Sequence, residues 1–293
     1  IEDMVEANRK IGLGVMGWAD MLIQLSISYS SERALKLAER VMKFIDVESK
    51  NMSEELAEQR GTFPNYEGSI FDKPSGRPMR NATTTTIAPT GTISIISGAS
   101  SGIEPLFAIS FIRRNILDEG DELLEVNPYF EAVARREGFY SDELMRKIAA
   151  EGSIQNIKEI PKKVRNVFVT SLDIDPDTHI KMQGAFQKYV DNAVSKTINF
   201  PNTANTDDVD RAYRLAYRLG CKGLTVYRDK SREMQVLNIG KDEKKKEEAP
   251  VVPAPKPVGG GKKGGKCPEC GKKLRVSEGC STCPDCGYSA CSA

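Results

Sequence analysis

Residues 240–266, GKDEKKKEEAPVVPAPKPVGGGKKGGK, divide the chain, because nothing in them can build a core. Lys, Glu, Pro and Gly dominate, and large apolar side chains are almost missing. Too little surface is available for burial to offset the entropy of ordering such a segment. It predicts a flexible linker, stiffened around its prolines. Folding is therefore decided separately on either side. The expected organisation is a globular body over residues 1–238, a linker over 239–266 and a Cys-rich tail over 267–293.

The chain of 293 residues is 39% hydrophobic and 28% charged, ordinary values for a globular protein, and its body has room for one large domain or two small ones. A net charge of +1 gives no global field to attract nucleic acid or an acidic membrane, so neither is an expected partner. No apolar run approaches the roughly 18 residues that would span a bilayer. The greasiest segment, IGLGVMGWADMLIQL, is interrupted by glycines and by Asp20. No secretory signal is visible, and the start, IEDMVEANRK, lacks Met and already reads as helix. The expectation is a piece of a longer chain. Six of the seven cysteines fall in the last 27 residues, which is not how a disulfide-stapled secreted domain spreads them. That clustering points to a reducing cytoplasm and a metal or redox tail. The single histidine, His179, argues against His-based triads, metal sites and proton shuttles.

Caps mark the helices. Ser30 or Ser31 opens a long amphipathic stretch with Leu35, Ala38, Met42 and Ile45 on one stripe, continuing toward Gly61 with room for a kink. Asn127-Pro128 opens a helix closed by Gly138, Ser141 one closed by Gly152, and Asp175-Pro176 another. Thr206 opens a fourth, stopped by Gly220. Between them TTTTIA, FAISFIR, VRNVFVT, SKTINF and GLTVYR are rich in β-branched residues and read as extended. Strands alternating with helices predict an α/β fold.

The stretch at 81–105, NATTTTIAPTGTISIISGASSGIEP, packs hydroxyls and glycines against apolar residues. Read as strand, turn and helix, its ladder ends at Pro89, which has no N–H to donate. Gly91 allows a ligand close to the backbone. A helix starting near Thr90 to Thr92 would present unpaired N–H groups and the positive end of its dipole. With the hydroxyls of Thr90 and Thr92, that is an anion site suited to a phosphate or diphosphate. Threonines also favour strands and Pro-Thr-Gly is a common turn, so these residues alone equally fit a plain polar loop. Neither a Walker-type lysine loop nor a Gly-x-Gly-x-x-Gly fingerprint is present.

RNATTTTIAPTGTISIISGASSGIEPLFA closely resembles the substrate-phosphate segment of ribonucleotide reductases, and more narrowly of the adenosylcobalamin-dependent (class II) enzymes. NRKIGLGVMGWADML, HIKMQGAFQKYVDNAVSKTINFP and RLGCKGLTVYRDKSREMQVL also look like segments of that family, in family order. The linker and tail are similar too, so the resemblance covers essentially the whole chain. It implies the C-terminal half of a ten-stranded α/β barrel, with Ala88, Pro89, Thr90, Gly91 and Thr92 cradling the phosphates of a ribonucleotide. It also implies adenosylcobalamin, a thioredoxin- or glutaredoxin-like reductant and a homodimer in the full enzyme. The family's radical cysteine sits in an Asn-Pro-Cys-Gly-Glu-like finger loop. No such motif occurs here, so that residue is expected in an N-terminal part of the same enzyme.

In the tail, CPECGKKLRVSEGCSTCPDCGYSACSA, Cys267 and Cys270 form one Cys-x-x-Cys knuckle and Cys283 and Cys286 another, twelve residues apart. Four thiolates at that spacing suit tetrahedral Zn²⁺, which would supply the folding energy of a tail with no real core. The family resemblance adds a C-terminal cysteine pair that passes electrons to the active site. Zinc on 267, 270, 283 and 286 leaves Cys280 and Cys291 for that role. Zinc on 267, 270, 280 and 283 would leave 286 and 291. The first is preferred, since both knuckles then ligate metal. A plain zinc ribbon that binds nucleic acid or another macromolecule is the alternative.

His179 reads as a structural or surface residue rather than a base, Trp18 as core and Cys221 as a buried thiol. Class I reductases carry a neighbouring tyrosine pair where this chain has Val226 and Tyr227, a departure that favours the cobalamin class over a class I large subunit.

Overall fold

The computed structural model of the protein describes residues 1–114, 122–231, 266–277, 280–286 and 288–291. Two compact units are present, Ile1–Asp242 and Glu243–Ala293. Apart from Lys266, the expected linker lies outside the described residues.

In chain order the first unit contains α1 (Glu2–Asn8), α2 (Trp18–Gln24), α3 (Glu32–Arg60), a 3-10 turn (Pro64–Tyr66), α4 (Gly91–Ser97), β1 (Ser110–Arg114) and β2 (Glu122–Val126). Then come α5 (Pro128–Glu137), α6 (Asp142–Glu151), α7 (Lys162–Val167), α8 (Pro176–Gln187), β3 (Thr197–Phe200), α9 (Thr206–Arg218) and β4 (Thr225–Arg228). The second unit holds β5 (Arg275–Ser277), β6 (Cys280–Thr282) and β7 (Ser289–Cys291). No helix among the described residues is long and apolar enough to cross a membrane.

Capping places most helices where the sequence predicts. Ser31 accepts from the Ala34 N–H, Asn127 from Tyr129 and Phe130, Ser141 from Leu144 and Asp175 from Thr178. α3 is continuous from Glu32 to Arg60. Its buried positions, Ala34, Ala38, Met42, Ser49, Ser53 and Ala57, follow one helical stripe along the whole length. α9 is capped by Asn205 rather than Thr206. The Asn205 side chain accepts from the Asp207 and Asp208 N–H groups while the Asp208 carboxylate accepts from the Asn205 N–H, a capping box.

One extended reading is corrected. The first four residues of VRNVFVT, 164–167, lie in α7 (Lys162–Val167), and only Thr170 makes a β-bridge. Ile160, Val164 and Phe168 recur every four residues and all enter one buried cluster, so helical periodicity prevails over β-branched composition.

The architecture is set by a parallel seam. On one side of the threonine run, Ile11 N–H donates to Thr83 O, Leu13 N–H to Thr84 O and Thr86 N–H to Leu13 O. On the other, Asn192 N–H donates to Thr85 O, Ile87 N–H to Ala193 O and Ser195 N–H to Ile87 O. That strand line continues into β3, which pairs in parallel with β4, Thr197 facing Thr225 and Phe200 facing Arg228. The lateral order is 11–14, 83–87, 193–200, 225–228, with helices in the crossovers, as expected of an α/β fold. β1 and β2 pair antiparallel apart from it.

Trp18, Leu22, Met42, Ile87 and Phe186 share one core cluster, Trp18 meeting Phe186 edge-on with ring centroids 5.0 Å apart. A second cluster gathers Phe130, Met145, Ile148 and Phe168, and a third joins α8 and α9 to β3 through Ile180, Ile198 and Ala212.

The seam needs glycine at 14. A Cβ there would lie 2.1 Å from the Thr86 carbonyl oxygen, inside the pairing itself. Gly14→Ala is expected to lower the thermal midpoint by several degrees, from an overpacking cost of about 1–3 kcal/mol. A variant melting with the parent would mean the strands can slide apart freely.

Asp191 clasps the seam from the side. Its Oδ2 accepts from the Thr84 N–H (2.8 Å) and hydroxyl (3.1 Å), and its Oδ1 pairs with Lys50 (3.1 Å). Burial pushes this carboxyl up, but the Thr84 bonds and Lys50 outweigh it and hold it below its ordinary value. The folded state thus binds that proton less readily than the unfolded state. Its contribution is complete at neutral pH and is lost as pH falls through the carboxylate range below 3.8. Asp191→Asn should lower stability at pH 7 and flatten the acid limb of a stability–pH profile, measured by denaturant unfolding.

Candidate functional site

The four threonines are engaged within the protein. Thr83 Oγ1 donates to Ile11 O (3.3 Å) and Thr86 Oγ1 to Ala193 O (3.2 Å). Thr84 Oγ1 donates to Asp191 and accepts from Ser49 Oγ (2.8 Å), while Thr85 Oγ1 accepts from the Asp191 N–H (2.9 Å). Thr84 and Thr85 are fully buried, where unpaired hydroxyls would be costly. The run is a clasp, and the hydroxyls left for a ligand come later.

Beyond Ile87 the seam stops, because Pro89 has no donor. Thr90 then turns left-handed, with φ 55° and ψ 24°, an uncommon conformation for a β-branched residue that costs about 1–3 kcal/mol. The Gly102 N–H holds it there, donating to Thr90 Oγ1 at 2.7 Å. α4 follows at once. The Ser94 N–H returns to Thr90 O, whereas those of Gly91, Thr92 and Ile93 find no acceptor among the described residues. Gly91 has neither a positive φ nor a steric need to be glycine, since a Cβ there would meet nothing within 4 Å. The space beside this backbone is open. Ala88, Pro89, Gly91 and Thr92 are exposed and Thr90 is half-buried. The five predicted residues therefore form one exposed turn with unpaired donors, a geometry that can receive an anionic oxygen.

Sequence reasoning missed the platform beneath this turn, residues 100–104. Gly17 N–H donates to Ser100 O, Trp18 N–H to Gly102 O and Ser100 N–H to Asp20 Oδ2 (2.6 Å). Ser94 and Ser101 share a hydroxyl contact at 2.8 Å, and Tyr29 donates to Ile103 O at 2.6 Å. The signal was the second glycine of SGASSGIEP: Gly102 has φ +45°, a backbone that L side chains rarely adopt.

His179 is structural, as expected, but wholly buried. Its Nε2 lies 2.9 Å from the Ser171 carbonyl and its Nδ1 2.8 Å from Lys196 Nζ, so Nε2 carries the proton and Nδ1 accepts. Burial and the Lys196 charge press its pKa down to about 3, so it is neutral at physiological pH. Trp18 is core. Cys221 is only half-buried, with burial raising its pKa. Tyr227 lies in β4, paired with Asn199.

In the second unit the sulfurs of Cys267, Cys270, Cys283 and Cys286 all lie within 4.8 Å of one another, with Cys267–Cys286 at 3.5 Å and Cys270–Cys283 at 3.4 Å. A tetrahedral thiolate site with metal–sulfur bonds of about 2.3 Å has sulfurs about 3.8 Å apart, so this set can hold a metal ion. Without a cation the crowded thiols titrate far apart. The Cys283 thiol sits at about 7: burial opposes ionisation, but the Asp285 and Cys286 N–H groups favour it. Cys286 is pushed up to about 12: its Tyr288 backbone bond favours ionisation, but the neighbouring sulfurs of Cys267 and Cys270 outweigh it. A Lys272–Asp285 ion pair (2.9 Å) ties one knuckle to the other. Cys280 and Cys291 stand directly opposite each other in the β6–β7 register.

Comparison with known proteins bears on the first unit above all. The family described as "Ribonucleotide reductase, barrel domain" matches residues 1–76 and 71–227. The vitamin B12-dependent ribonucleoside-diphosphate reductase of Thermoplasma acidophilum is 55% identical over 252 residues, covering 86% of this chain and 32% of that protein. Its namesake from Mycobacterium tuberculosis is 49% identical over 236 residues, covering 80% and 33%. This chain thus spans about a third of the length of these relatives. Among solved structures, the class Id ribonucleotide reductase alpha subunit of Actinobacillus ureae superposes with a TM-score of 0.64 over 77% of this chain and 40% of that one. At 24% identity that likeness concerns the fold.

Proposed function

The chain belongs to the ribonucleotide reductase barrel family, and we propose that it works as part of a vitamin B12-dependent ribonucleoside-diphosphate reductase. The parallel array is read as the C-terminal half of the ten-stranded barrel. Residues Ala88–Thr92 hold the substrate phosphates, and the tail brings electrons. In the overall reaction the ribose C2′–OH bond breaks, a C2′–H bond forms, the hydroxyl leaves as water and two thiols become a disulfide. The observation that carries the reading is the exposed turn at 90–93: three unpaired N–H groups and two threonine hydroxyls beside a glycine whose Cβ position is open. Charge-assisted bonds from such donors hold a diphosphate without covalent chemistry.

Adenosylcobalamin supplies the radical chemistry when bound. The described residues offer its cobalt no imidazole, since both ring nitrogens of His179 are engaged, and no step here runs through it.

In the tail, Zn²⁺ is assigned to Cys267, Cys270, Cys283 and Cys286. The proximity of these four sulfurs supports that set. Cys280 and Cys291 are then the exchange pair. Their cross-strand register supports closure into a disulfide as the active-site disulfide is reduced, and a thioredoxin- or glutaredoxin-type dithiol would reopen it. The assembly is a homodimer in the cytoplasm.

Thr90→Ala with Thr92→Ala should raise the dissociation constant for a ribonucleoside diphosphate at least about tenfold, the worth of one charge-assisted hydrogen bond. Titration calorimetry measures it, and unchanged affinity would remove these residues from the cradle. Salt-sensitive oligonucleotide binding that depends on the tail would favour the zinc-ribbon alternative. The zinc assignment predicts about one Zn²⁺ per chain by elemental analysis, lost in Cys286→Ser and kept in Cys280→Ser. The reverse pattern would shift the metal to the other set.

A further inference from the structure

Lys196 is the most deeply buried charge among the described residues, its side chain 0% exposed. Its ammonium group has three hydrogens and three acceptors: Glu104 Oε2 at 2.6 Å, His179 Nδ1 at 2.8 Å and its neighbour Thr197 O at 2.7 Å. Glu104 spends its other oxygen on the Thr197 N–H, at 2.7 Å. A single carboxylate is thus bound twice to the start of β3. A buried ion pair of this kind is poor as a source of stability, because desolvation consumes most of its attraction. Its strength is directional: it fixes the position of whatever carries the carboxylate.

Glu104 is carried by the platform under the phosphate turn. The Glu104 N–H donates to Ser101 O, and two residues before Glu104 the Gly102 N–H holds Thr90 Oγ1. That bond occupies one lone pair of the Thr90 hydroxyl. The hydroxyl hydrogen has no acceptor among the described residues, so the platform decides where this donor can point. Thr90 is also the strained residue of the turn, and a strained conformation persists only where its surroundings hold it.

We propose that Lys196 and Glu104 are positioning residues of the phosphate cradle: their ion pair pins residues 100–104 to β3 and thereby aims the Thr90 hydroxyl and the N–H groups after it at the substrate diphosphate. This rests on the phosphate reading of residues 88–92. His179 belongs to the same device, as the neutral acceptor that completes the Lys196 shell and, through Ser171, ties it to the chain entering α8.

The test uses the reductase that contains this chain, with inorganic pyrophosphate as competitive inhibitor. The variant is Lys196→Met with Glu104→Gln, which removes both charges together and leaves no uncompensated ion. Pyrophosphate inhibition of the parent, weakened in Thr90→Ala, tests the phosphate reading itself. If both hold, the charge-free variant should raise the inhibition constant and the KM at least about tenfold, the worth of one misdirected charge-assisted bond, with a smaller change in kcat. Adding Thr90→Ala should then weaken binding little further, because the charge-free variant has already misdirected that hydroxyl. A variant that melts cooperatively yet keeps the parent's inhibition constant overturns the proposal, as does a Thr90→Ala effect that adds in full. If the double variant does not fold, Glu104→Gln alone is judged by the same two criteria. Absence of pyrophosphate inhibition in the parent removes the phosphate reading and this inference with it.

Discussion

The first unit depends on the close approach of two backbones, residues 11–14 and 83–87. Gly14 admits the Thr86 carbonyl, and Gly12 the Thr86 methyl group, where any Cβ would collide. Once that contact is made, the threonine run is hydrogen-bonded on both edges and has little freedom left. A buried parallel strand normally reads as a run of Val, Ile and Leu. Here threonine takes those places, because each hydroxyl finds a partner on a neighbouring segment. Those bonds specify register more narrowly than apolar packing would, since a slip of one residue would orphan buried hydroxyls.

The turn that follows inherits this rigidity. A left-handed threonine is unfavourable in a free peptide, and a seven-residue helix is marginal alone. Both persist because the seam delivers the chain to Pro89 in a fixed direction and the 100–104 platform receives it. The donors at Gly91, Thr92 and Ile93 are therefore pre-positioned. Were the turn to take up an anion, the cost of ordering it would already have fallen in folding instead of in binding.

Much of this was legible in advance. Caps are local, so Ser31, Asn127, Ser141 and Asp175 marked their helices. The turn at 88–92 was legible because Pro89, with no N–H to donate, has to end the seam. VRNVFVT misled because its composition spoke for a strand while the spacing of Ile160, Val164 and Phe168 spoke for a helix. The threonine run was legible as an extended segment, but not that its hydroxyls would be consumed by the fold. Lys196 and Asp191 gave no signal at all. Their partners stand 92 and 107 residues away, at Glu104 and Thr84, and a charged residue in a sequence is ordinarily a surface residue.

The tail follows the opposite logic. Its three short strands cannot enclose a core, and the cysteine cluster takes that place. A thiolate locked on a metal is a poor partner for disulfide exchange, while exchange needs two sulfurs that can meet and part. In the proposed division of labour the knuckle cysteines give up reactivity to hold the ribbon, and the ribbon holds the backbones of Cys280 and Cys291 opposite each other. In that division each turnover would move electrons through this pair and leave the metal set intact. The two assignments of the tail differ on this point, since the alternative asks one knuckle to surrender Cys286 to redox work and unmakes the cluster that the folded ribbon forms.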